Sequence, residues 1–263
     1  MTSVILLASL AALGTTPKPA TRFATIEATI RRGIRQGLYP GAVVVVGRRD
    51  TVLYSRGFGR LTWARSAPAT SPRFTQWDLA SLTKVVATTS AVLVLVERGQ
   101  VDLDAPVARY LPRFTDDGRE RVTVRMLLDH TSGLPPYVPF FRLAAGRASA
   151  IELLYRQPLK RPAGTTAEYS DLNAMLLGLV VEAVSGAPLD AFAASEVFAP
   201  LGMTATVFTP ALLAGGPVAP SRSVAGHPLP GRVSDANADL LGGVAGHAGL
   251  FSTGADLARY AQV

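Results

Sequence analysis

The sequence predicts an α/β fold in which an antiparallel sheet is flanked by helices and continues into a mostly helical lobe. Two β-branched runs, GAVVVVG at 41–47 and TVLY at 51–54, are separated by Arg48-Arg49-Asp50, a pattern typical of an antiparallel hairpin. The segment 81–98, SLTKVVATTSAVLVLVER, is apolar on every side and too long for a strand. It predicts one buried helix, with nearly complete burial.

The chain opens with an amphipathic helix ahead of the hairpin. Phe23, Ile26, Ile30 and Ile34 recur at helical spacing, and Gly37 stands where the helix would stop. After the buried helix, the pattern predicts a short helix near 124–128, a turn-rich stretch at 130–136, an apolar helix over 172–185 and a shorter one over 189–196.

The last sixty residues carry few strand signals. A Pro- and Gly-rich loop follows Leu201, the run GGVAGHAG occupies 242–249, and Thr253 with Asp256 forms a capping-box pattern that starts a helix. A lone hairpin is only marginally stable. Either further strands lie within these loops, or the chain lacks the C-terminal part of its sheet, which would leave the sheet incomplete.

The predicted organisation is a signal-like segment over 1–20 and one domain over 21–263. Within that domain, 21–80 supplies the first helix and the hairpin, and 81–263 the helical lobe. The apolar run VILLASLAAL at 4–13 has the length of a secretory h-region and favours export, although it lacks a basic start. A mis-assigned start and a cytoplasmic location stay open. The run is too short for a stable membrane span.

Composition narrows the possible partners and cofactors. The net charge of +7 comes almost wholly from arginines spread along the chain, which disfavours nucleic acid as a partner. The absence of cysteine excludes disulfides, thiolate metal sites and a cysteine nucleophile. Neither His130 nor His227 has a second ligand at metal-binding spacing, so we expect no metal site.

Ser81 and Lys84 are the first candidate catalytic residues. Their i, i+3 spacing puts both side chains on one face of a helix. The chain has only three lysines, and it places one at the start of an apolar helix, where an arginine could never release its proton. A desolvated amine there could accept the serine proton. The alternative is a helix-capping serine beside a lysine that extends to solvent.

Tyr169, in the sequence Tyr-Ser-Asp at 169–171, lies on a loop immediately before the helix 172–185. Near an ammonium group, a phenol could act as general base for the serine or as proton donor to a leaving group. The alternative is a tyrosine that only packs and hydrogen-bonds.

Four motifs occur in a recognisable order: SLTK at 81–84, VDLDAPV at 101–107 with YLP at 110–112, LLDHTSGLP at 127–135, and YSD at 169–171. This set resembles the β-lactamase-related serine hydrolases, which include class C β-lactamases, D-alanyl-D-alanine carboxypeptidases, D-aminopeptidases and family VIII esterases. The resemblance runs from about Phe23 to the last residue. It implies a β-lactamase/transpeptidase-like fold.

The resemblance also implies roles for individual residues. Ser81 would be the acylated nucleophile, Lys84 its activator and Tyr169 the second proton-transfer residue. Asp171 stands where relatives have an asparagine that contacts the substrate or the lysine. An ionised aspartate only accepts hydrogen bonds, so Asp171 could pair with Lys84, hold it protonated and leave Tyr169 as the base.

A third family element, Lys-Thr-Gly or His-x-Gly, normally comes late in the chain on a strand beside the serine. His247-Ala248-Gly249 matches in letters, but it lies in a glycine-rich loop that leads towards the capped helix. His247 is therefore a candidate substrate-binding residue, with a structural role in the loop as the alternative.

The predicted function is serine hydrolysis through an acyl-serine intermediate. The substrate would be a small molecule or a peptide-like compound with an ester, amide or β-lactam carbonyl, and no cofactor is needed. Two alternatives stay open: a penicillin- or peptidoglycan-binding homologue that does not turn over, and an inactive, C-terminally truncated fragment. The sequence does not indicate an oligomeric state.

Overall fold

A computed structural model describes residues 22–210, 217–221, 223–224 and 227–263. The signal-like run at 4–13 and the side chain of His227 lie outside this description. The chain separates into two compact units, Met1–Tyr39 and Pro40–Val263.

The described part of the first unit is the predicted amphipathic helix. Helix α1 spans Ala24–Arg35, with Phe23 as its N-cap and Gln36 as its C-cap. Tyr39 lies beside Gly33, and its hydroxyl donates to the carbonyl of Ile30 at 3.3 Å. The tyrosine therefore fixes the chain that leaves this helix.

The second unit opens with the predicted hairpin. Strand β1 (Gly41–Arg48) pairs antiparallel with β2 (Thr51–Gly59). A two-residue turn joins them, and Arg49 adopts the left-handed conformation with φ of 53°. The register shifts between Val46 and Gly47, as at a β-bulge. The hairpin is confirmed, and β2 extends five residues beyond the predicted TVLY run.

Further strands lie in segments expected to be loops. They are β3 (Trp77–Asp78), β4 (Val207–Phe208), β5 (Ser223–Val224), β6 (His227–Pro228) and β7 (Leu250–Ser252). Strand β7 lies between β3 and β4 in one antiparallel sheet, and β5 pairs with β6. Strands of two or three residues are too short to show alternating hydrophobicity, which explains why the sequence pattern missed them.

The helical part of this unit surrounds an apolar core. Its helices are α2 (Ser90–Glu97), α3 (Val124–Leu128), α4 (Phe140–Leu143), α5 (Arg147–Tyr155), α6 (Asp171–Ser185), α7 (Leu189–Ala193), α8 (Ala236–Leu240) and α9 (Gly254–Tyr260). Short 3-10 turns occur at Val107–Arg109 and Arg119–Arg121. Helix α6 confirms the predicted apolar helix, and the shorter predicted helix is α7, which continues as a π-helical turn over Ala194–Phe198.

The segment 81–98 differs from the prediction. It begins with a turn at Ser81 and two α-helical residues at 82–83, passes through a π-helical stretch over Lys84–Thr89 and continues as α2. Ala91, Val92 and Leu95 are fully buried, whereas the side chains Leu82, Val85 and Leu93 are about half exposed. The expectation of nearly complete burial was wrong, because an all-round apolar pattern does not specify which faces the rest of the chain covers.

The predicted cap of the last helix is present in α9. The Asp256 amide donates to Thr253 Oγ1 at 3.2 Å. The Asp256 carboxylate accepts from the Ala205 amide at 2.8 Å, so it joins the helix to the segment before β4. No single helix among the described residues has the length and apolarity to cross a bilayer, although the bent pair 171–185 and 189–198 meets both criteria when combined.

Candidate active site

Ser81 lies in a tight turn that leads from β3 into the π-helical stretch. The preceding residue, Ala80, has a φ of 46°, and its amide donates to Asp78 Oδ1 at 2.9 Å. Thr83 Oγ1 donates to the Ala80 carbonyl at 2.6 Å and accepts from the Leu250 amide at 3.1 Å. A left-handed alanine costs on the order of 1–3 kcal/mol. These contacts hold the turn in that conformation and leave the Ser81 side chain exposed.

Lys84 is buried directly behind the serine. Its Nζ donates to Ser81 Oγ at 3.0 Å and to the His247 carbonyl at 3.0 Å, and it lies 2.8 Å from Asp171 Oδ1. An ammonium group has three N–H donors and no acceptor. All three donors therefore have partners. The structure brings Ser81, Lys84 and Asp171 together.

Tyr169 lies beside the lysine with its side chain about half exposed. Lys84 Nζ is 4.9 Å from the centroid of the Tyr169 ring, within the range of a cation–π contact. The ring is also 4.8 Å from the His130 ring, centroid to centroid. Tyr169 thus contacts both a cation and an imidazole at the entrance of α6.

His130 supports this loop in a way that the sequence did not reveal. Its Nδ1 accepts from the Ser170 amide at 3.2 Å and lies 3.0 Å from Asn173 Nδ2, so both donors meet a neutral ring nitrogen. Burial lowers the pKa of His130, and the Lys84 cation lowers it further, while Asp129 and Asp171 oppose these effects. His130 therefore contacts the Tyr-Ser-Asp loop through its side chain.

The loop 130–136 holds the Tyr-Ser-Asp loop through further hydrogen bonds. Ser170 Oγ donates to the Pro135 carbonyl at 2.7 Å, and the Asp171 amide donates to the Pro136 carbonyl at 2.9 Å. Ser132 Oγ donates to Asn173 Oδ1 at 2.6 Å. Two segments that resemble family motifs are therefore joined into one support for Tyr169 and Asp171.

His247 contributes to the site through its main chain. The imidazole is 1% exposed, and its Nε2 lies 2.9 Å from Asp235 Oδ1. The expectation that this side chain touches substrate is at odds with its burial, whereas its carbonyl accepts from Lys84. The loop also does not lead directly into the capped helix, because strand β7 intervenes.

Asp235 is a site neighbour that the sequence reading did not single out. It caps α8 by accepting from the Ala238 amide at 2.7 Å. Burial on its own would raise the pKa of Asp235, but the hydrogen bond and charge of His247 and the backbone amides outweigh it, so the pKa lies below its usual value. An aspartate immediately before the ANADL segment is an N-cap signal that could have identified it.

Metal ligands do not cluster in the part of the chain that the structure describes. No group of three or more His, Cys, Asp or Glu side chains is arranged there to hold an ion.

Known proteins resemble this chain over most of its length. A protein-family model described as beta-lactamase matches residues 26–263. An N-acetylmuramyl-L-alanine amidase of Bacillus subtilis (strain 168) is 32% identical over 90% of this chain and 62% of its own length. A candidate D-alanyl-D-alanine carboxypeptidase of Escherichia coli (strain K12) is 31% identical over 85% of this chain and 59% of its own.

The fold is shared with solved structures. An octameric penicillin-binding protein homologue from Pyrococcus abyssi superposes with a TM-score of 0.75 at 23% identity, covering 91% of this chain and 55% of that protein. The chain spans about three fifths of the length of the two curated relatives. By its family match and these likenesses, the chain belongs to the β-lactamase-related family of serine hydrolases.

Proposed function

We propose that this chain is a serine hydrolase that acts through an acyl-serine intermediate on an ester, amide or β-lactam carbonyl. The observation that carries the proposal is the buried lysine whose ammonium joins Ser81 Oγ and the Asp171 carboxylate. A surface lysine beside a capping serine would have no need of a partly buried carboxylate. A nucleophile within hydrogen-bond reach of an oriented proton-handling group is the arrangement that acyl transfer requires.

The contacts of Lys84 support Tyr169, and not Lys84, as the base that accepts the serine proton. With three donors engaged, the ammonium has no lone pair for the serine proton, whereas it can stabilise an anionic phenolate at Tyr169, whose ring is 4.9 Å away. In the proposed step, Ser81 Oγ bonds to the carbonyl carbon and its proton passes to Tyr169 Oη. The bond between the carbonyl carbon and the leaving group then breaks, and the leaving group takes that proton.

The second half-reaction releases the acid. Water attacks the acyl-serine carbonyl, and Tyr169 takes a proton from that water. The bond between Ser81 Oγ and the carbonyl carbon breaks, and Ser81 recovers its proton from Tyr169. Asp171 has no covalent part in either step. We propose that it fixes Lys84 as a cation.

The names of the relatives support a peptide-like substrate and an exported location as further proposals. One relative is named for a muramyl amide bond and the other for a D-alanyl-D-alanine bond. These are bonds of peptide-like compounds with an amide carbonyl. The signal-like segment predicted over 1–20 is in keeping with a substrate of the cell envelope.

Covalent labelling tests the proposed nucleophile. A fluorophosphonate probe should bond to Ser81 Oγ with loss of fluoride, and Ser81→Ala should abolish this labelling. Ser195→Ala is a matched control, because that exposed hydroxyl hydrogen-bonds, among the described residues, within its own helix segment and to the adjacent Glu196. Equal labelling of the Ser81→Ala variant would disprove the assignment.

Turnover of p-nitrophenyl butyrate separates the enzyme from a binding homologue or an inactive fragment. We expect more product than enzyme, abolished by Ser81→Ala. Labelling without turnover would identify an acylating, non-hydrolysing homologue instead.

A further inference from the structure

The loop that carries His247 is wedged between the segment that bears Lys84 and helix α6. Thr88 Oγ1 donates to the Gly246 carbonyl at 2.7 Å. A Cβ atom at Gly246 would collide with the Ala174 carbonyl, so the loop approaches α6 backbone to backbone. One residue later, the His247 carbonyl accepts from Lys84 Nζ. The orientation of a single peptide group therefore helps to set the position of the lysine.

The side chain of His247 is anchored as well, which limits how the main-chain carbonyl of the same residue can be oriented. Its Nε2 lies 2.9 Å from Asp235 Oδ1, and that oxygen also accepts from the Ala238 amide at the start of α8. Within the described residues, the buried Nδ1 has no hydrogen-bond partner. The bond to Asp235 is thus the polar contact that orients the ring among the described residues.

The dipeptide 234–235 also reaches the serine. The Ser234 amide donates to Asp78 Oδ2 at 2.8 Å, and Asp78 Oδ1 accepts from the Ala80 amide at 2.9 Å. Ala80 immediately precedes Ser81. Ser234 is therefore connected through Asp78 to the turn that carries the nucleophile. Asp235 is connected through His247 to Lys84.

We propose that Asp235 and His247 are a pair of positioning residues that set the place of Lys84 relative to Ser81. The inference rests on the proposed function of Ser81 and Lys84. The pair acts through the His247 carbonyl and through the turn at Ala80. It makes no covalent bond and need not touch the substrate.

Two substitutions at one position test the pair. His247→Leu introduces an apolar side chain of similar size and removes the donor to Asp235, whereas His247→Gln offers an amide N–H near the position of Nε2. A displacement of about 1 Å at a reacting group costs about 100-fold, so we expect Ser81 labelling to slow about 10- to 100-fold in His247→Leu and to stay within about threefold in His247→Gln. Rates are measured well below the melting temperature of each variant.

A control for the same short helix is Asp239→Asn. Asp239 pairs with exposed Arg232 and lies one turn beyond Asp235, so this variant should label like the wild type. If His247→Leu does not fold, Asp235→Gly replaces it, since glycine removes the acceptor of the His247 ring and weakens the helix cap only slightly. Asp235→Gly should then label more slowly than Asp239→Asn. Equal labelling rates for these two variants would overturn the proposal. So would a His247→Leu variant that labels at the wild-type rate. A His247→Gln variant that labels as slowly as His247→Leu would also overturn it.

A spectroscopic measurement distinguishes failure of the positioning role from failure of the proposed function. If the wild type shows no Ser81-dependent labelling, the proposed function fails. The positioning role is then decided by the Lys84 ammonium signal in ¹H–¹⁵N spectra. That signal should shift in His247→Leu, or in Asp235→Gly where the leucine variant does not fold, and stay in place in Asp239→Asn. An unmoved signal would overturn the role.

Discussion

The carboxylate of Asp171 lies 2.8 Å from the ammonium of Lys84, and the two side chains are 19% and 8% exposed, respectively. This ion pair joins the first residue of α6 to the segment that carries the candidate nucleophile. Burying two charges is costly unless each is well paired. The same contact therefore matters both for stability and for the charge state of the candidate catalytic lysine.

Removing the Asp171 carboxylate should destabilise the fold. Asp171→Ala leaves a buried cation without its counter-charge, at a cost of about 3 kcal/mol in the free energy of unfolding. Urea unfolding at pH 7 measures this loss. The control is Glu152→Gln, which breaks an exposed pair with Arg113 and should cost less than about 1 kcal/mol. Equal losses in the two variants would contradict a structural role for the buried pair.

Tyr169→Phe should separate proton transfer from packing. The substitution keeps the ring beside Lys84 and removes only the hydroxyl, so the stability should change little, because the side chain is about half exposed. Ser81 labelling should slow about 100- to 10,000-fold, the range for loss of a general acid or base. Tyr155→Phe, which removes a hydroxyl elsewhere on the chain, should label normally. A Tyr169→Phe variant with the wild-type rate would return the role of base to Lys84.

Part of this site could be predicted from the sequence, because some of its residues follow a local pattern. The spacing of Ser81 and Lys84 led to the contact between them, whereas the pairing of Asp171 with Lys84 was implied by the family resemblance, in which Asp171 stands where relatives have an asparagine. Helix α6 and the hairpin were equally accessible, since each is long enough for its hydrophobic period to be recognised.

The features that could not be predicted from the sequence depend on contacts that have no recognisable sequence pattern. The His247 carbonyl reaches Lys84 across 163 residues, and every residue type has such a carbonyl. The letters His-Ala-Gly directed attention to the imidazole, although the backbone makes the contact. Strand β7 was missed for a related reason, because three residues define no periodicity.

The free energy of unfolding should fall on mild acidification, because His130 resists protonation in the folded chain. Its folded-state pKa lies below the unperturbed value of about 6.5, so the unfolded chain binds a proton that the folded chain resists. This contribution is fully present above about pH 6.5 and is lost as the pH falls towards the lowered pKa. His130→Asn tolerates the left-handed backbone there and does not titrate. Its melting temperature should depend less on pH between about 5 and 6.5, and equal slopes would contradict the prediction.

Replacing Ala80 by glycine should raise the stability of the fold and lower the reactivity of Ser81. With φ at 46°, alanine is strained where glycine is not, so Ala80→Gly should raise the free energy of unfolding by about 1 kcal/mol. The same substitution loosens the turn that presents Ser81, so labelling should become slower. Ala87→Gly is the matched control, since Ala87 is buried in the helical segment and its loss should destabilise the fold by about 1 kcal/mol. Urea unfolding and labelling rates measure both effects. A less stable Ala80→Gly variant would show that the turn carries no strain, because relief of strain is the only source of the expected gain.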